Sequence, residues 1–255
     1  MRKVLAIALN TFRETVRDKI LYTLLAFAFA MIGSAAILIR LSVRGEARII
    51  QDLGLAAISI MGVLMATFVG ITLVYKEVDR RTIYTIIAKP IRRYQFILGK
   101  YLGLLATILV NVAAMALGLL LLDRALEGRW PWVLLPAIWL TYAELAVVTA
   151  LATLFSAFTT PALSATFTLS LFLIGRLSGD LVAFLGKAPS PIVRNVSTGL
   201  YYLLPNLQAF DIKGQVVLGM APDSRLLVGA TAYGILYVLF VLAGTVLIFQ
   251  HRDFK

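Results

Sequence analysis

Glu144 is the one charged side chain among the 46 residues between Arg129 and Arg176. A charged acid at the centre of a membrane helix costs roughly 2.5–3.5 kcal/mol on insertion scales, so such a residue faces a bundle interior, finds a partner or keeps its proton. Two chemistries are open to Glu144: lining a polar path, or sealing a helix seam through a hydrogen bond, with Thr141 and Tyr142 as the neighbours able to satisfy it. Asn111 is a second polar residue in an apolar run and fits either a path or interhelical hydrogen bonding. A third group is crowded rather than isolated. Lys76, Glu77, Asp79, Arg80, Arg81 and Thr82 are followed by Ile83, Ile86 and Ile87 at helical spacing, then by Pro90, Arg92 and Arg93. That pattern predicts a short amphipathic helix ending at the proline, whose charges either dock a protein partner or hold the loop to anionic lipid.

Other chemistries lack their residues. With Cys 0 the chain has no disulfide, thiolate metal site or cysteine nucleophile. His251 is the single histidine, so H-E-x-x-H cannot occur, and neither G-x-x-x-x-G-K-[ST] nor G-x-S-x-G is present. The chain carries no catalytic apparatus of its own and no cofactor site. Leu200 to Phe210 reads LYYLLPNLQAF, with Tyr201, Tyr202, Pro205 and Phe210 giving the aromatic composition of a membrane interface. It either caps a path or anchors a loop.

The elements that carry these residues are set by composition. The 255 residues are 60% hydrophobic and 15% charged, with a mean hydropathy of +0.90, against about 45–50% and about 25% in soluble domains. An all-α membrane protein follows, and the net charge of +11 is read through the membrane rather than through nucleic acid. Apolar runs of the required length lie at Ile20–Ile39, Leu53–Val74, Tyr101–Leu122 and Leu226–Phe249, and the stretch from Arg129 to Arg176 holds two more, joined by a turn at Ser156 to Pro161. Six spans put both termini on one side. Segments 1–19, 76–100 and 251–255 hold fourteen of the 24 Lys and Arg, which makes that side cytoplasmic. Residues 1–19 show Leu5, Leu9, Phe12 and Val16 on one face and Asn10, Arg13, Glu14 and Arg17 on the other, the pattern of an interfacial helix. Residues 20–255 form one transmembrane domain, with a cytosolic loop at 76–100 and an extracytoplasmic segment at 177–225 too broken by Pro189, Pro191, Pro205 and Pro222 to span. Gly99 and Gly103 have the spacing of a close helix contact.

Three stretches in order, NTFRETVRDKILYTLL (Asn10 to Leu25), SIMGVLMATFVGITLVYKEVDRRTIYTIIAKPIRRYQFILGKYLG (Ser59 to Gly103) and YYLLPNLQAFD (Tyr201 to Asp211), resemble an ABC transporter permease of the type-2 exporter class. The nearest likeness is to the branch containing the permease for copper-site maturation of nitrous oxide reductase. The resemblance implies a permease subunit of an ATP-driven exporter in the inner membrane. It pairs with a second permease, usually an identical copy, and with two separate ATPase subunits that hold the ATP and Mg. It further implies an N-terminal elbow helix at residues 2–18, a coupling helix centred on Glu77, Arg80, Arg81 and Thr82, and short helices in the outer leaflet that include Tyr201 to Asp211. With Met 6 and Cys 0, no thioether or thiolate copper pathway is evident, so the likeness does not extend to copper as cargo. The residues alone leave two rivals: a transporter or channel driven by an ion gradient, and a membrane scaffold that transports nothing.

Overall fold

The computed structural model describes residues 2–41, 48–79, 92–179 and 204–251, and the described residues form helices and turns without a strand. In chain order they give α1 (Arg2–Val16), α2 (Lys19–Leu41), α3 (Arg48–Asp79) and α4 (Arg93–Glu127). After a 3-10 turn at Trp132–Leu134 come α5 (Leu135–Ser156) and α6 (Pro161–Arg176), then a second 3-10 turn at Leu207–Phe210, α7 (Lys213–Val217) and α8 (Ser224–His251).

Four stretches are long and apolar enough to cross a membrane: Arg48–Ile71, Arg93–Glu127, Trp132–Ser156 and Ser224–Phe249. A fifth is present if α1 and α2 count as one span, and these meet at a 62° bend. Asp18 makes that bend by accepting the Ile20 N–H at 3.0 Å, which caps the start of α2. The expected turn between the fourth and fifth spans falls between Ser156 and Pro161, with the proline at the first position of α6. However, α6 has only 16 residues, about 24 Å of helix against about 30 Å of hydrocarbon.

The bundle is built around α3, whose spanning window is 72% buried, whereas that of α8 is 28% buried. α3 packs on α2, α4, α5 and α6, and α8 packs mainly on α5. Close approach is bought with missing side chains: a Cβ at Gly54 would collide with Leu119, and one at Gly62 would lie 2.5 Å from Leu145. The exposed face of α8 carries Leu236, Leu239 and Phe240, side chains at home against lipid. Buried Thr107, Thr141, Thr149, Thr153, Thr168 and Thr245 each donate to the carbonyl four residues earlier in their own helix. Their hydroxyls are thereby satisfied without crossing between helices.

α1 lies along the N-terminal half of α4. A Cβ at Gly103 would sit 2.5 Å from the Ala8 carbonyl, and one at Gly99 would sit 2.7 Å from Ile7 Cβ, so the two glycines admit a backbone, as their spacing suggested. The face of α1 that packs is the one bearing Thr11 and Thr15, both buried, while Leu5 and Leu9 remain exposed. On the polar side, the Glu14 carboxylate lies 3.8 Å from the Lys100 ammonium, itself 2% exposed. α1 thus has three faces: one on α4, one charged, and one apolar and uncovered by the chain.

Candidate functional site at the end of the short helix

Because α6 stops early, its last residue, Arg176, ends beside the bundle interior. Glu144 sits nine residues into α5, about 13 Å along the helix from its start. The antiparallel pairing of α5 and α6 brings the two charges together. Arg176 Nη1 donates to Glu144 Oε1 at 3.2 Å and Nη2 donates to Asp211 Oδ2 at 2.8 Å. The Glu144 side chain is 1% exposed and that of Arg176 21%. The Arg176 guanidinium also stands 5.8 Å from the Phe172 ring centre.

The second carboxylate comes from the segment that follows. Residues 204–217 fold over the end of α6 instead of leaving the bundle, and Leu207, Phe210, Ile212 and Val216 join the core. A Cβ at Gly175 would lie 2.5 Å from the Pro205 carbonyl, and one at Gly179 would collide with the Gln208 amide. Glycine at 175 therefore lets this backbone settle on the end of α6, while the space at 179 is taken by the Gln208 side chain. The Asn206 N–H of this segment donates to the Tyr233 hydroxyl at 2.8 Å, and at the end of α6 the Ser178 hydroxyl donates to the Gly175 carbonyl at 2.9 Å. Phe210 packs against Tyr233 with ring centres 6.1 Å apart.

Asp211 Oδ1 accepts the Lys213 N–H at 3.3 Å, turning the chain into α7. Burial pushes the Lys213 ammonium below its ordinary pKa, and the fields of Glu144, Asp211 and Asp52 act against that shift while Arg176 adds to it. The cluster holds two acids, Glu144 and Asp211, with Arg176 between them and Lys213 beside them. It can clamp the folded-over segment, or meet a polar group of a passing solute. Among the described residues no group of three or more His, Cys, Asp or Glu is placed to hold a metal ion.

The other expected site residues fall as follows. Thr141 and Tyr142 do not satisfy Glu144: Thr141 donates to the Ala137 carbonyl at 2.8 Å and Tyr142 to the Leu105 carbonyl at 3.4 Å. Arg176 does so instead, because the α5–α6 pairing places a charge where the sequence offered only hydroxyls. Asn111 is buried and donates to the Thr107 carbonyl of its own helix at 2.8 Å. Pro205 and Phe210 are buried in the folded-over segment. Glu77 lies in the last turn of α3; Arg80, Arg81, Thr82, Tyr201 and Tyr202 lie outside the described residues. Sequence reasoning missed Arg176, Asp211 and Lys213 as members of the cluster. A signal was available: only 16 residues run from Pro161 to Arg176, too few to carry Arg176 across the hydrocarbon.

No curated protein sequence matches the chain. The model of one protein family, described as ABC-2 family transporter protein, matches residues 5–253. That match takes in nearly the whole chain, helices and charge cluster together, so the protein belongs to the ABC-2 transporter family and is a transmembrane permease component of an ABC transporter.

Proposed function

We propose that the chain is half of the translocation path of an ATP-driven exporter, working as a pair of permeases with two separate ATPase subunits. The observation that carries this reading is the family match over residues 5–253, in a chain that has no P-loop of its own. ATP is then bound and hydrolysed, with Mg, by the partner subunits. Loop 76–100 is the proposed contact to them, with Glu77, Arg80, Arg81 and Thr82 at its centre. α1 is the proposed elbow: its exposed Leu5 and Leu9 suit the headgroup boundary of a bilayer. In this layout α2 and α6 are the first and fifth of six spans, both termini are cytoplasmic, and the membrane is the inner one. The segment around Pro205 and Phe210 then closes the far side, with Tyr201 and Tyr202 leading into it.

The Glu144–Arg176–Asp211 cluster is the proposed closure of the path on that far side. Closing of the ATPase dimer would tilt the permeases, and only an ATP affinity that differs between the two states can drive such a shift. A part for Asn111 in the path has its mid-helix position in its favour. Likeness to the copper-maturation branch is proposed as kinship alone, with cargo left to experiment.

The test is extraction of the tagged chain from its native membrane in mild detergent, identification of stoichiometric partners, and assay of vanadate-sensitive ATPase activity. We expect one P-loop ATPase per permease. A chain that comes out alone and inactive, under gentler extraction as well, would overturn the reading and favour gradient-driven flux.

A further inference from the structure

We infer that a lateral groove between α4, α5 and α8 is a binding site for one acyl chain of a membrane lipid. The groove has a volume of about 230 Å³ and is walled by Tyr101, Trp139, Tyr142, Ala143, Ile235 and Leu239 among others. Its four polar wall groups, on Tyr101, Trp139, Tyr142 and Thr231, are each hydrogen-bonded within the protein. The Tyr101 hydroxyl donates to the Ala146 carbonyl at 3.2 Å, the Tyr142 hydroxyl to the Leu105 carbonyl at 3.4 Å, and the Trp139 indole N–H to Thr231 Oγ1 at 3.1 Å. Thr231 in turn donates to the Leu227 carbonyl at 2.8 Å. What remains for an occupant is hydrocarbon and aromatic surface, which favours an alkyl chain over a peptide with its unmet backbone groups.

The length fits as well. From Trp139 to Ala146 on α5, and from Thr231 to Leu239 on α8, the walls run eight and nine residues, a rise of about 10–12 Å, or some two thirds of one leaflet of a hydrocarbon core about 30 Å thick. Trp139, Ile235 and Leu239 are 51%, 58% and 57% exposed at its rim, so the groove opens sideways, where lipid stands beside a transmembrane chain. Its upper wall touches the folded-over segment: a Cβ at Gly234 would lie 3.1 Å from the Phe210 ring. A bound chain therefore braces α8, the least buried spanning helix, against the element that carries Asp211.

The chain's three tryptophans are Trp130, Trp132 and Trp139, so W130F/W132F leaves the groove residue as the sole indole. The full-length variant is titrated in mixed micelles with phosphatidylcholine brominated on its acyl chains, and Trp139 emission is followed. We expect quenching to saturate at about one lipid per chain, well below the value set by bulk mole fraction, and A143L or A146L to return it to the bulk line. Quenching of the W130F/W132F protein that tracks mole fraction throughout would overturn the site and leave ordinary surrounding lipid. Absence of quenching at any fraction would also overturn it, by showing Trp139 covered by protein, a second copy included. Should both filling variants fail to give a monodisperse protein, the saturation curve alone decides.

Discussion

Replacing Arg176 by Gln strands Glu144, and the size of the effect follows from the geometry. At 3.2 Å and an effective dielectric of about 20, the attraction between the two unit charges is about 5 kcal/mol before desolvation is subtracted. Removing one member of a buried pair costs about 3–5 kcal/mol, mostly because the other charge is left uncompensated. Arg176 keeps 21% of its side chain exposed, so water relieves part of this, and we place R176Q near the lower bound, about 3 kcal/mol. For a chain of this size that corresponds to a fall in Tm of roughly 6–12 °C. E144Q removes the charge that needs compensation and should cost only about 1 kcal/mol. E144Q/R176Q should therefore be more stable than R176Q alone, with a coupling of about 2 kcal/mol in the double-mutant cycle. The assay is thermal unfolding of the full chain in one detergent, followed by near-ultraviolet circular dichroism. Single and double variants that add to within about 0.5 kcal/mol would refute a direct Glu144–Arg176 contact.

D211N should cost less than R176Q, about 1 kcal/mol, since Asp211 is 35% exposed and water screens its half of the clamp; the same melts would show it. G103L should detach α1 at about 1–3 kcal/mol, seen as new proteolytic cleavage within residues 2–16, whereas G33A, with open space around it, should leave the melt unchanged or slightly raised. If loop 76–100 docks the ATPase, R80E/R81E should abolish its co-purification while the permease still inserts; normal recovery of the complex would remove those residues from the contact. If Glu144 closes the path, E144Q should assemble with the ATPase yet slow transport, and unchanged transport kinetics would make it a packing residue.

Much of the architecture was legible because hydrocarbon imposes it. Apolar runs fixed α3, α4, α5 and α8, and the hydroxyl-rich stretch before Pro161 fixed the α5–α6 turn. The N-terminal helix was legible as amphipathic and interfacial, with Leu5 and Leu9 on its apolar face, but the face it turns to the bundle was not: Gly99 and Gly103 accept the side of Thr11. Small residues on the partner decided that contact, and a hydrophobicity pattern does not register them. Glu144 was conspicuous as a charge out of place. Its partner was not, because Arg176 was read as the marker that ended a span. Asp211 and Lys213 reach the cluster only through the folding back of residues 204–217, a tertiary event with no local periodicity.

The shortness of α6 bears on how the chain is made. Alone, a helix of 16 residues is a poor candidate for insertion, and Glu144 makes α5 costlier than its neighbours. As a hairpin, the two helices would present the translocon with an acid and a base that neutralise one another. Biosynthesis would then treat residues 135–176 as one insertion step, and a ribosome paused between α5 and α6 would hold an intermediate whose charge is unmet. Glycosylation mapping of chains truncated after Ser156 and after Arg176 would reveal it, with α5 anchored firmly only once α6 has emerged.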